Sequence, residues 1–231
     1  DYNESPFSNV VSASTFQMND EQLLDMVQEA CFRYYWEGSE SNSGLSLECI
    51  PGRLNMVAAG ASGFGIMALI AGGERNFVSR EKLIERFDNI TRFLEKAEKF
   101  HGAFPHFLDG KSGRMEPFFG QRDNGGDLVE TSFLFQGLLT AREYFNRNNE
   151  QERNIRDRIT RIWENIEWDW YRKEPDSKFL YWHWSPDKAW LINHKLIGFN
   201  ETMIAYILGI SSSTHSIPAS LYYSGWASQS E

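Results

Sequence analysis

Three carboxylates stand out by where they fall in the chain. Asp127 and Glu130 open a stretch that is otherwise apolar from Thr131 to Ala141. Their i, i+3 spacing puts both on one face of a helix beginning there. Glu201 precedes a charge-free stretch in the same way, behind Asn200, a residue type that caps helices. Acids at helix starts commonly serve the free N–H groups and the dipole, which accounts for Asp127 better than for Glu130. Carboxylates from two helix starts meeting in one cleft suit glycosidic hydrolysis. One protonates the leaving oxygen, and the other activates water or attacks the anomeric carbon. Helix starts lower carboxyl pKa values, so the acid needs desolvation. Glu201 is expected to receive it from Tyr181, Trp182, Trp184 and Trp190 in the preceding loop, and Phe104 belongs to a second aromatic run, Phe104–Phe107. These five rings are candidates to stack on sugar faces, with packing onto the protein as the alternative.

Other chemistry finds little support. Asp109–Gly113 resembles a calcium loop, but Lys111 holds a ligand position, so it reads as a turn. The five histidines show no zinc spacing, and neither a metal nor a cofactor is expected. Gly60, Gly63 and Gly65 follow no evident strand and read as close helix packing rather than a nucleotide loop. The formal charge of −9 disfavours a nucleic-acid partner and a strongly acidic substrate, and a neutral glycan is compatible with it. Of the two cysteines, Cys31 is expected to be a buried thiol on the apolar face of the first helix, in preference to a disulfide with Cys49.

The elements that must position these groups alternate in kind. Residues 20–37, 80–99 and 150–166 read as amphipathic, charged helices with one side in solvent; Leu23, Val27, Cys31 and Tyr34 form the apolar face of the first. Residues 56–73, 127–145 and 200–210 read as nearly charge-free helices covered on all sides. Uncharged Met56–Gly73 is short and glycine-diluted, a core helix rather than a membrane span. Short turns follow each inner helix and long aromatic segments (38–55, 100–126, 167–199) precede each, so the long loops gather at one end. This is an all-α toroid of helical hairpins, with residues 1–19 as an exposed linker and 20–231 as the toroid portion. At about 70 residues per hairpin the chain supplies three, where a closed ring of six needs about 400 residues. The C-terminal half of the barrel is therefore expected in a longer protein.

The segments Gly125–Leu138, Leu180–Pro186, Gly198–Thr202 and Ser212–Tyr222 resemble the glucoamylase-type domain of Bacteroidetes, a group that includes glycoside hydrolase family 144. The resemblance implies an (α/α)6 barrel, inverting endo-β-1,2-glucanase activity, and an exported protein of the periplasm or cell surface. It also implies that Asp127, Glu130 and Glu201 are cleft acids. The alternative is a non-catalytic glycan-binding or sensing module, which would keep the aromatics without needing the acids.

Overall fold

The computed structural model describes residues 12–228. Of the expected linker, residues 1–11 lie outside the described residues, and 12–19 run without regular structure, largely exposed. The rest is mainly helical, with two short β-ribbons.

Three helices are amphipathic: α1 (Asp20–Glu37), α3 (Arg80–Lys96) and α5 (Glu150–Glu164). Each starts at a side-chain cap, from Asn19, Ser79 and Asn149, which supplies an acceptor to a backbone N–H otherwise left unpaired. In α3 and α5 the apolar face is buried, through Leu83, Phe87, Ile90 and Leu94 on one and Ile155, Ile159 and Ile162 on the other. Between them Arg80 forms a two-pronged ion pair with the fully buried Glu152.

The apolar helices are α2 (Ala59–Glu74), α4 (Leu128–Tyr144) and α6 (Met203–Ser211). Helices α2 and α4 meet backbone to backbone at Gly63 and Gly137. A Cβ on Gly63 would collide with the Phe133 carbonyl, and one on Gly137 with the Gly63 carbonyl. The glycines are thus the condition for this crossing, as the sequence suggests for Gly63. A short helix, α7 (Ser220–Ser224), follows α6.

Three expectations change. Met56–Ala58 is strand β1, not the first turn of an inner helix; it pairs antiparallel with β2 (Phe107–Asp109), which takes up its backbone groups before α2 begins. On α1 only Phe32 is buried, against Gly72 of α2. Leu23, Leu24, Val27 and Tyr34 are exposed, so the apolar face expected to be buried is covered only around Phe32. Cys31, on the same face, is therefore an exposed free thiol, as is Cys49.

The second ribbon pairs β3 (Gly126–Asp127) with β4 (His183–Trp184), in the register Gly126 to Trp184 and Asp127 to His183. Among the described residues no helix is long and apolar enough to cross a membrane.

Candidate active site

The start of α4 is held from three sides. Asp127 N–H donates to Phe104 O, Thr131 Oγ1 accepts from Phe104 N–H, and Leu128 N–H donates to Trp182 O. His106 O accepts from Ala59 N–H at the start of α2. The Tyr206 hydroxyl of α6 donates to Leu196 O and accepts from Leu180 N–H. The loops of residues 100–126 and 180–196 therefore tie the first turns of the apolar helices together, and a cleft of about 460 Å³ opens there. His106, Phe119, Asp123, Asp127, Trp182 and His183 are among its lining residues.

Asp127 is buried and caps α4: Oδ1 accepts from the Val129 and Glu130 N–H groups at 3.0 and 2.9 Å. Its Oδ2 accepts from Trp182 Nε1 at 2.8 Å. Burial, and then the neighbouring Glu130 charge, push its carboxyl well above the ordinary range, while these donors pull the other way. With both oxygens engaged, Asp127 is placed to orient Trp182 and the helix start. Glu130 is freer. Its Oε2 accepts from Gly60 N–H at 2.9 Å, which is why no side chain fits at Gly60, and Oε1 stands 3.9 Å from His106 Nε2. Burial raises its pKa also. His106 lies between the two acids, its Nδ1 3.6 Å from Asp127 Oδ2, and desolvation lowers it to about 4. At neutral pH the imidazole is uncharged, which withholds from both carboxyls a cation that would favour ionisation. Both carboxyls are thus biased towards the protonated form, the state that can give a proton to a leaving oxygen.

The structure brings Asp127, Glu130 and Trp182 together but distributes the other expected residues. Glu201 lies in the turn before α6 and is exposed, so the aromatic cover expected from Tyr181, Trp182, Trp184 and Trp190 is absent. Those rings are committed elsewhere. Tyr181 is buried against Trp190, and Trp190 also meets Tyr171 and Trp170. Trp184 pairs with Gly126 rather than Asp127 and packs on His101 and Trp170. Phe104 is fully buried, with Lys99 Nζ 5.0 Å from its ring centroid, so it is a core residue rather than a sugar platform.

Other lining residues escape the sequence reading. Three of the five histidines, His106, His183 and His194, line the cleft without metal spacing, and two of them sit inside the aromatic runs noted for their rings. Among the described residues no group of three His, Cys, Asp or Glu could hold a metal ion. Asp123, in the loop before β3, is buried and its pKa is raised to about 6 by desolvation. Phe119 is exposed, its ring edge-on to His106 at 5.1 Å. Loop acids and phenylalanines carry no periodicity that would mark them.

His183 gives a pH prediction. Burial lowers its imidazole from 6.5 to about 4, so the unfolded chain takes the proton first. The stability of the neutral form is complete above 6.5 and is lost as pH falls towards 4. Between pH 7.5 and 4.5 the wild type should lose about 1–2 kcal/mol more than His183→Phe. Parallel denaturant titrations at the two pH values test this, and equal losses contradict it.

No protein-family model matches the chain. It is 65% identical to an exo β-1,2-glucooligosaccharide sophorohydrolase (non-reducing end) of Parabacteroides distasonis, over 99% of this chain and 32% of that protein. The crystal structure of a β-1,2-glucanase from the same species superposes with a TM-score of 0.95 at 65% identity, covering 99% of this chain and 33% of that one. An endo-β-1,2-glucanase from Chitinophaga pinensis, in complex with sophorotriose and glucose, gives 0.87 at 47% identity, over 91% and 51% respectively. The resemblance read from the sequence motifs is thus shown across nearly the whole chain. The chain spans about a third of the curated relative it matches.

Proposed function

We propose that the chain is the cleft-bearing part of a glycoside hydrolase that cuts β-1,2-linked glucan. The observation that carries this is the conjunction of the Asp127–Glu130 pair, set under an aromatic cleft, with 65% identity to a sophorohydrolase over 99% of the chain. Its three helix pairs make up the first part of an (α/α)6 toroid. Exposed Phe64 on α2 and Met203 and Ile207 on α6 are the apolar flanks that the remaining helices would cover. Glu130, desolvated in the cleft, is the proposed general acid and exposed Glu201 the proposed base, Asp127 positions the helix start and Trp182, and the reaction inverts the anomeric centre. Trp182 is the sugar platform, with Trp184 and Trp190 supporting the loop that carries it. An exported location, at the periplasm or surface, completes the proposal.

The identity to the exo-acting relative favours release of disaccharide from the non-reducing end. The endo mode expected from the motifs is the second reading, supported by the 47% identity to the Chitinophaga pinensis glucanase. Incubating the full-length protein with β-1,2-, β-1,3-, β-1,4- and α-1,4-glucans tests the substrate class. Cleavage of the β-1,2 substrate at least about a hundredfold faster than the others is expected, given what a site built around substrate hydroxyls can discriminate. Preference for another linkage, or binding without cleavage, rejects it.

A further inference from the structure

An exposed carboxylate can serve as a base only if its backbone holds it in place. Glu130 is tied by its side chain to Gly60 N–H, whereas Glu201 is exposed in the turn before α6. That turn is built around the residue next to it. Asn200 Nδ2 donates to Ile197 O at 3.1 Å, and Asn200 Oδ1 accepts from Thr202 N–H at 3.0 Å. These bonds shape the turn on either side of Glu201 but do not use the Asn200 carbonyl. Trp226 does: its indole Nε1–H donates to Asn200 O at 2.8 Å. The peptide unit is planar, so the atoms from Asn200 Cα to Glu201 Cα move as one. Holding the Asn200 oxygen therefore holds the Glu201 N–H and Cα, from which the carboxyl projects.

The indole is itself braced. Phe199 meets the ring edge-on, with centroids 4.6 Å apart, and Tyr222 of α7 lies against it at 5.3 Å. Behind it, α7 is anchored by buried Leu221, and the turn that follows passes close to the Tyr206 hydroxyl: a Cβ on Gly225 would stand 2.2 Å from that oxygen. The same hydroxyl ties the 180–196 loop. Trp226 thus reaches from a footing shared with the cleft loop to the peptide that carries Glu201. Little of the core depends on its bond, since Asn200 and Glu201 are exposed and Trp226 is half-buried. A hydrogen bond so open to water adds little to stability. What it sets is where the chain runs at Glu201.

We propose that Trp226 is a positioning residue of the hydrolytic reaction, its indole N–H holding the Asn200–Glu201 peptide so that the Glu201 carboxyl keeps one place. This role rests on Glu201 being the base and adds a residue that acts only through it. Replacing Trp226 in the full-length protein by an analogue with sulfur in place of the indole N–H keeps the size of the ring and removes the donor. It should lower kcat on β-1,2-glucooligosaccharides roughly ten- to a hundredfold, the cost of a group displaced by about an ångström, with KM and melting temperature unchanged. Trp226→Phe should lose turnover in the same way. 5-Fluorotryptophan at this position keeps the N–H and should keep wild-type turnover.

Two other roles give different results. A ring stacked on sugar predicts a raised KM for Trp226→Phe and wild-type kinetics for the sulfur analogue, whose face is intact. A structural prop predicts that kcat and melting temperature fall together. Either result overturns the positioning role. The Glu201→Gln background separates that failure from failure of the base assignment. There Trp226→Phe should cost no further turnover, because the group it places is already disabled. A full additional loss in that background means that Trp226 acts through something else, and overturns the proposal while Glu201 remains the base. Near-normal turnover of Glu201→Gln alone overturns the base assignment and the positioning role with it.

Discussion

Glu201→Gln in the full-length protein should lower kcat on β-1,2-glucan by at least about a hundredfold, with KM and melting temperature nearly unchanged. The amide keeps the shape and cannot take a proton from the attacking water. The structure removes the usual ambiguity of a mutation at a helix start. The Asn200 side chain, not Glu201, accepts from Thr202 N–H before α6, and Glu201 is exposed. Its loss has no route through folding. Glu130→Gln should be similarly damaging to turnover but should also weaken the tie from Gly60 N–H across to α2. Asp127→Asn behaves differently. One carboxyl oxygen receives two backbone N–H groups and the other receives Trp182 Nε1, so an amide must turn a donor towards a donor. It should cost about 1–3 kcal/mol of stability along with activity. Near-normal turnover of Glu201→Gln would move the base to parts of the protein beyond this chain.

Gly63→Val should abolish the fold. The new Cβ would meet the Phe133 carbonyl and the Leu134 Cα, which are main-chain atoms of α4 that no rotamer can move. Helices α2 and α4 would have to separate along their shared length, carrying with them Glu130 and the His106–Ala59 bond that close the cleft. A cost of more than about 4 kcal/mol is expected, comparable to the whole margin of an ordinary domain. Phe64→Ala, one residue on but exposed, should cost far less. Circular dichroism melts of both variants decide the matter. A folded Gly63→Val of near wild-type stability would mean that the helices do not cross at this glycine.

The alternation of charged and uncharged helices was legible because each kind buries a different fraction of its circumference, and composition records that directly. Gly63 is legible as close packing for a similar reason, since a core helix rich in glycine gives up contact area unless backbones approach, whereas Gly137, alone in its helix, carries no such signal. The three-residue strand Met56–Ala58 was hidden because so short a run has no period, and its partner lies some fifty residues away. The exposure of the α1 face is hidden in the sequence because periodicity tells that Leu23, Val27 and Cys31 share a side but not whether anything covers it.

Within the cleft, Asp127 and Glu130 announced themselves as acids on an apolar helix. For Phe104 and Tyr181 it is the packing alternative that the structure bears out, because an aromatic run in a loop looks alike whether its rings point to solvent or to the core. Asp123, His106 and His183 gave no local signal. Their burial, and the pKa shifts that follow from it, come from residues distant in sequence.

The most direct test is the product of the full-length protein acting on β-1,2-glucooligosaccharides, followed by proton NMR from the first seconds of reaction. The account predicts sophorose appearing first as the α-anomer and only later equilibrating, with no appearance from Glu201→Gln. Initial β-anomer would mean a retaining reaction and a different pairing of the carboxyls. Failure to cleave the β-1,2 linkage at all would contradict the central claim.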